Sequence, residues 1–277
     1  MPNLIQDIVL AHGIARFDIL RQLLVESGLI PEDDEKEYFK GVTKYLTANG
    51  FNVHQTDVSF TGSVDECAAE LADQIRSINR KVHVIGHSQG GLNGRHAIVD
   101  HGMADNVGML TTIDTPHFGT SFADVGLASE AGKLFLELAG TVMNLDGFED
   151  LTLASCRQFN DRAADAEASN AVVYQTYSAS EDRDRIFFPL RLSWDIIKRH
   201  EGGGNDGLVS VKSQNWVDNL VAADGTTKAV RHFSFPFGAD HLNVLGWYDP
   251  AERGISPQDY EANVHAIYLE MANSGVV

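Results

Sequence analysis

The sequence predicts an α/β fold: a mostly parallel central sheet flanked by helices. Two observations carry this. Short runs rich in Val and Ile alternate with stretches of helical period, and no internal repeat or low-complexity linker divides the 277 residues. One domain over residues 1–277 is expected, since single α/β domains commonly reach this size.

The elements read in order. Ile8–Ala11 is a buried strand ending at His12-Gly13. Tyr38-Phe39 through Leu46 has helical spacing and stops at Asn49-Gly50. Phe51–Val58 reads as a strand. Ser63 with Glu66 makes a capping box, and Val64, Cys67, Ala68, Leu71, Ile75 and Ile78 then repeat at helical period. Val82–Ile85 is the next strand, and a helical segment runs from Gly91 to His101. Met109–Ile113, Ala171–Tyr174 and Val230–Phe235 read as later strands. From about Ser121 to Asp161 the alternation breaks and the pattern is helical only. Leu134, Phe135, Leu138, Ala139 and Val142 form an apolar stripe there. Because it interrupts a strand series, this segment is read as a helical lid or cap, rather than as ordinary covering helices.

Composition narrows the chemistry. Acidic residues number 39 against 21 basic ones, a net charge of −18, which argues against a nucleic-acid partner. Residues 1–7 have neither a basic n-region nor a long apolar h-region, so no signal peptide is read there and the compartment stays open. No apolar stretch is long enough to span a bilayer. Cys67 and Cys156 are too few for a disulfide framework, and free buried thiols are expected. The sequence holds no CxxC or HExxH metal motif. It says nothing about oligomeric state.

The strongest chemical signal is Gly86-His87-Ser88-Gln89-Gly90, placed between a strand and a helix. In that context a G-x-S-x-G run is a tight turn that lifts the serine hydroxyl above the sheet edge. The fold is then specifically an α/β-hydrolase, and Ser88 is the candidate nucleophile. A serine hydroxyl needs a base. Of the 11 histidines, His241 in Gly238-Ala239-Asp240-His241-Leu242 follows the last strand and fits the order Ser, acid, His. His232 is a rival, but it falls within a strand. Asp206, in the glycine-rich Gly203–Ser210 stretch, is the preferred acid. Asp114 competes with it, and Asp240 is too close in sequence to His241. The backbone N–H groups of Gln89 and Ile14 are the candidate oxyanion donors. The chemistry read here needs no cofactor.

These segments, with Ile8–Asp18, Tyr38–Val42, Thr115–Thr120, Asn205–Ser210 and Asp240–Leu242, resemble the bacterial triacylglycerol lipases of the true-lipase group, the Pseudomonas, Burkholderia and Proteus type. The resemblance implies Ser88, Asp206 and His241 as nucleophile, acid and base, with Ile14 and Gln89 as oxyanion donors. It implies hydrolysis of lipid-like esters at a lipid–water interface under an amphipathic lid. It further implies a structural Ca²⁺ beside the histidine loop, with one ligand two residues after the histidine. Here that position is Asn243, a neutral and weaker ligand for a hard cation. Asp182 and Asp184 are candidates for the second carboxylate. The chain also departs from the family in a longer loop from Leu20 to Asp34. The alternatives are a carboxylesterase for short soluble esters, or a thioesterase, acyltransferase or phospholipase using the same three residues. A non-enzymatic binding module fits an intact Ser, Asp and His poorly.

Overall fold

The computed structural model describes residues 4–13, 22, 25, 37–59, 62–128, 146–248 and 254–275. Ile14, the Leu134–Val142 stripe and most of the 20–34 loop lie outside them.

The chain runs β1 (Asp7–Ala11), α1 (Val42–Ala48), β2 (Asn52–Gln55), α2 (Val64–Ile78), β3 (Val82–His87), α3 (Gln89–Val99) and β4 (Val107–Ile113). It continues through α4 (Ser121–Ala128), α5 (Asp146–Asp150), α6 (Leu153–Ser169), β5 (Val173–Ser178) and α7 (Arg191–His200). Then follow α8 (Val211–Asn215), β6 (Asn219–Val221), β7 (Thr227–Ala229), β8 (Arg231–Ser234) and α9 (Pro257–Ser274).

Six strands form one parallel sheet in the order β2-β1-β3-β4-β5-β8. Its inner strands are buried on both faces, which is why they read as unbroken apolar runs. Ile8 and Leu10 face one core with Ile85, Ile113 and helices α1 and α9. Val9 and Ala11 face a second core with Val82, Val84, Leu110 and the stripes of α2 and α3. The capping box is formed as read: Ser63 Oγ accepts the Glu66 N–H, and the Glu66 carboxylate accepts the Ser63 N–H.

Two features of the fold bear on the site. The helical stretch read as a cap over 121–161 contains the first half of α6. That helix buries Cys156, Phe159 and Ala163, stacks Phe159 on His96 of α3 and leads into β5. Helices α4 and α5 contribute Phe122 and Phe148, in edge contact at 5.7 Å, to a small cluster with Leu92 of α3 and Ile197 of α7. Second, the β6–β7 hairpin, α7 and α9 carry no pattern that the sequence reading used. Both cysteines are free and buried.

The registers Ala11↔Gly86, His87↔Ile113, Ile113↔Tyr177 and Ser178↔Ser234 bring the C-terminal ends of five strands to one edge of the sheet. The residues that follow those ends are the ones with chemistry.

Candidate active site

Ser88 links β3 to α3 in a conformation that non-glycine residues seldom adopt, φ 55° and ψ −128°. Such backbone persists only where the surroundings enforce it. Here the Ser88 N–H donates to the Ile113 carbonyl at 2.8 Å. The Ser88 carbonyl accepts the Gly91 N–H at 3.1 Å and the Thr115 hydroxyl at 2.9 Å. The flanking glycines are required by contact. A Cβ on Gly86 would lie 2.6 Å from the Gly90 carbonyl carbon, and one on Gly90 would lie 2.2 Å from the Ala11 carbonyl oxygen. Gln89 opens α3, so its N–H is among the first-turn donors that have no partner within the helix.

Asp206 and His241 meet although 35 residues separate them. The His241 Nδ1–H donates to Asp206 Oδ2 at 2.7 Å, and the His241 backbone N–H donates to the Asp206 carbonyl at 2.9 Å. The other carboxylate oxygen accepts the N–H groups of Leu208 at 2.8 Å and Val209 at 2.7 Å. Asp206 is therefore gripped by its own turn, in which Gly207 takes a positive φ of 100°. Both side chains are buried. His232 lies in β8, and its Nδ1 is 2.9 Å from the Thr176 hydroxyl, so it stays in the sheet.

Asp240 has a different task from the acid role considered for it. Its Oδ1 accepts the N–H groups of Leu242 and Asn243, and its Oδ2 accepts the Phe187 N–H at 2.9 Å. It thus ties the His241 loop to the chain before α7. Asp114 follows β4, is fully buried, and stands close to His241.

The early loop crosses above the serine. A Cβ on Gly13 would come within 2.9 Å of the Ser88 Cβ. The Gly13 N–H donates to the Tyr38 hydroxyl at 3.0 Å, and that hydroxyl bonds His87 Nδ1 at 2.7 Å. Burial pushes Tyr38 far above its ordinary range and His87 well below its own, so both are neutral. The His12 Nδ1–H reaches the Gly13 carbonyl at 2.9 Å, and burial lowers the His12 pKa as well. Tyr38 and His87 thus hold the loop at Gly13. The sequence reading took Tyr38 for part of a helix, since nothing local announces a bond to a residue 49 positions away.

Asn243, which the resemblance offers to Ca²⁺, is engaged within its own loop. Asn243 Oδ1 accepts the Asp240 N–H at 3.1 Å, and its Nδ2 donates to the Trp247 carbonyl at 2.8 Å. Both ends of that amide serve the loop. Neither Asp182 nor Asp184 belongs to a group of convergent ligands among the described residues.

The comparisons agree with this architecture. Residues 8–177, more than half the chain, match the palmitoyl protein thioesterase family model; the match contains Ser88 but ends before Asp206. A triacylglycerol lipase of Vibrio cholerae is 32% identical over 241 residues, covering 74% of this chain and 72% of its own. Triacylglycerol lipase 2 of Saccharomyces cerevisiae is 28% identical over 283 residues, covering 87% and 80%. The fold is similar to that of the mature Bacillus licheniformis lipase (TM-score 0.64, 18% identity, covering 99% of this chain and 94% of that one). It is likewise similar to the Staphylococcus hyicus lipase (TM-score 0.61, 17% identity, covering 98% and 96%). The elbow at Ser88, the sheet order and these matches together place the chain in the triacylglycerol lipase family of carboxylic ester hydrolases, within the α/β-hydrolases that the thioesterase model describes.

Proposed function

We propose that this enzyme hydrolyses lipid-like esters, triacylglycerols among them, through an acyl-enzyme on Ser88. The observation that carries the reading is the buried 2.7 Å bond between Asp206 and His241 at the sheet edge where Ser88 is raised. His241 Nε2 takes the Ser88 proton as Oγ attacks the ester carbonyl carbon. The Gln89 and Ile14 N–H groups hold the developing oxyanion. His241 returns the proton to the leaving alcohol, and a water activated by the same nitrogen then releases the fatty acid. Asp206 fixes the tautomer, with Nδ1–H toward itself and Nε2 free for catalysis.

A lipid substrate is supported by two things. The relatives are named triacylglycerol lipases. Beside the acid loop, Phe188 and Leu192 expose 61% and 49% of their surface on either side of Leu190, which packs against Gly207. An apolar rim of this kind suits a lipid–water boundary. No helix among the described residues is long and apolar enough to cross a membrane. The second reading, a thioesterase, is favoured by the family-model match.

Ser88→Ala is expected to abolish p-nitrophenyl ester hydrolysis with an unchanged melting curve; substantial remaining activity would overturn the reading. In the native enzyme, the rate on triglycerides should jump above their solubility limit and exceed that on acyl thioesters of equal chain length. The opposite order would favour the thioesterase.

A further inference from the structure

Asp114 is the buried group that the mechanism leaves unused. It follows β4 directly, with φ 49°, so a second non-glycine residue at this edge is held in left-handed backbone. Its N–H is bound to the Tyr177 carbonyl at 3.1 Å, which fixes it against the neighbouring strand. One of its carboxyl oxygens lies within 4.8 Å of ring nitrogens of both His87 and His241. Among the described residues the side chain caps no helix and forms no ion pair, and neither oxygen receives a hydrogen bond of good geometry, although the Ala179 N–H lies near enough to favour its charged form.

A buried carboxylate without donors is costly. Burial first, and the Asp206 charge second, push Asp114 well above the ordinary carboxylate range. The titratable groups around it are Asp206, Asp240, His87, His241 and Tyr268. His87 is neutral, and Tyr268 is driven well above its usual range by its own burial. Only the Ala179 N–H favours a second anion there, and burial together with the Asp206 charge outweighs it. A neutral Asp114 has an O–H to place, and Asp206 is the acceptor at hand. Asp206 already accepts three N–H bonds and, as a carboxylate, has capacity for about four.

We infer that Asp114 and Asp206 form a one-proton carboxyl pair behind His241, in which Asp114 is the neutral positioning partner and a reserve acid able to serve His241 if Asp206 is lost. This rests on the assignment of Ser88, Asp206 and His241 made above.

The test is a double-mutant comparison at saturating p-nitrophenyl ester. Removing the acid from such a relay lowers turnover about 10⁴-fold when nothing replaces it. Asp206→Asn should lose only about 10- to 100-fold, on that same scale, because Asp114 can ionise once the competing charge is gone. Asp206→Asn combined with Asp114→Asn should show the full loss. The residual rate of Asp206→Asn should also rise with pH more steeply than the native rate, since Asp114 must shed its proton to act. An Asp206→Asn variant as inactive as the double variant, or with a residual rate indifferent to pH, would overturn the inference. A readout independent of that variant's folding is infrared difference spectroscopy of the native protein against Asp114→Asn at neutral pH. A protonated-carboxyl band present only in the native protein is expected, and its absence would equally overturn the inference. Activity surviving in Ser88→Ala would fall instead on the underlying assignment.

Discussion

Gly90 and Ala11 are in backbone contact: a Cβ at Gly90 would stand 2.2 Å from the Ala11 carbonyl oxygen and 2.6 Å from that of His12. No side-chain rotation can relieve a clash with main chain. Gly90→Ala must push β1 away from the elbow, and overpacking of this kind costs up to about 3 kcal/mol. Thermal unfolding should show that loss together with the disappearance of esterase activity. A native melting temperature would show that β1 gives way more easily than its burial implies.

The Arg95–Glu167 pair is buried on both sides, with Nε at 2.7 Å and Nη2 at 2.9 Å from the two carboxylate oxygens, and the guanidinium lies 3.8 Å over the Trp216 ring. Breaking one side strands a buried charge. Glu167→Gln is expected to cost about 3–5 kcal/mol in urea denaturation. Replacing both residues with apolar ones of similar volume should recover most of it, because the desolvation of both charges is then avoided.

His83 gives a pH signature. Its Nε2 accepts from the Thr111 hydroxyl at 2.6 Å, and that hydroxyl is itself bonded by the Gln175 amide. Burial pushes the His83 pKa down to about 3, from 6.5 in the unfolded chain. Between those values the unfolded chain binds a proton that the native one does not. The stability from neutral His83 is thus full above pH 6.5 and is lost on acidification toward 3. From pH 7 to 5 that loss is about 2 kcal/mol. Urea titrations should show the native protein losing about this much more than His83→Gln over the same interval. Equal losses would mean His83 is protonated in the fold.

The histidine loop is held by protein donors, and this bears on cations. Asp240 binds Phe187, Leu242 and Asn243, while Asn243 binds Asp240 and Trp247. The melting temperature and ester hydrolysis should therefore be indifferent to a chelator. Asp240→Ala, which frees both loops, should lower both. A large loss of melting temperature on chelation alone would show a cation in that loop.

Much of this molecule could be read in advance because the informative signals are local. The serine turn, its glycines, the capping box and the buried strands are each written within a few residues, and Asp206 and His241 follow from chain order. What escaped depends on distance. Tyr38 reaches His87 across 49 positions, and Arg95 looks like a surface residue until Glu167, 72 positions on, arrives beside it. In sequence Asp114 reads only as a rival to Asp206, because the chain order does not say that two carboxyls are buried together. Over 121–161 helical period alone does not mark where α6 begins.

The long excursion between β5 and β8 also sets the order of assembly. Once β1, β3 and β4 have paired, the turn at Ser88 has all its hydrogen bonds, for they come from Ile113, Thr115 and Gly91. His241 follows β8 and meets Asp206 only when β8 docks on β5, with residues 179–230 looped out between the two strands. Closing a loop of that length is entropically slow, and its contacts form late. The nucleophile is therefore complete before its base. Return of esterase activity during refolding is expected to lag behind burial of the core and to report the docking of the sheet edge.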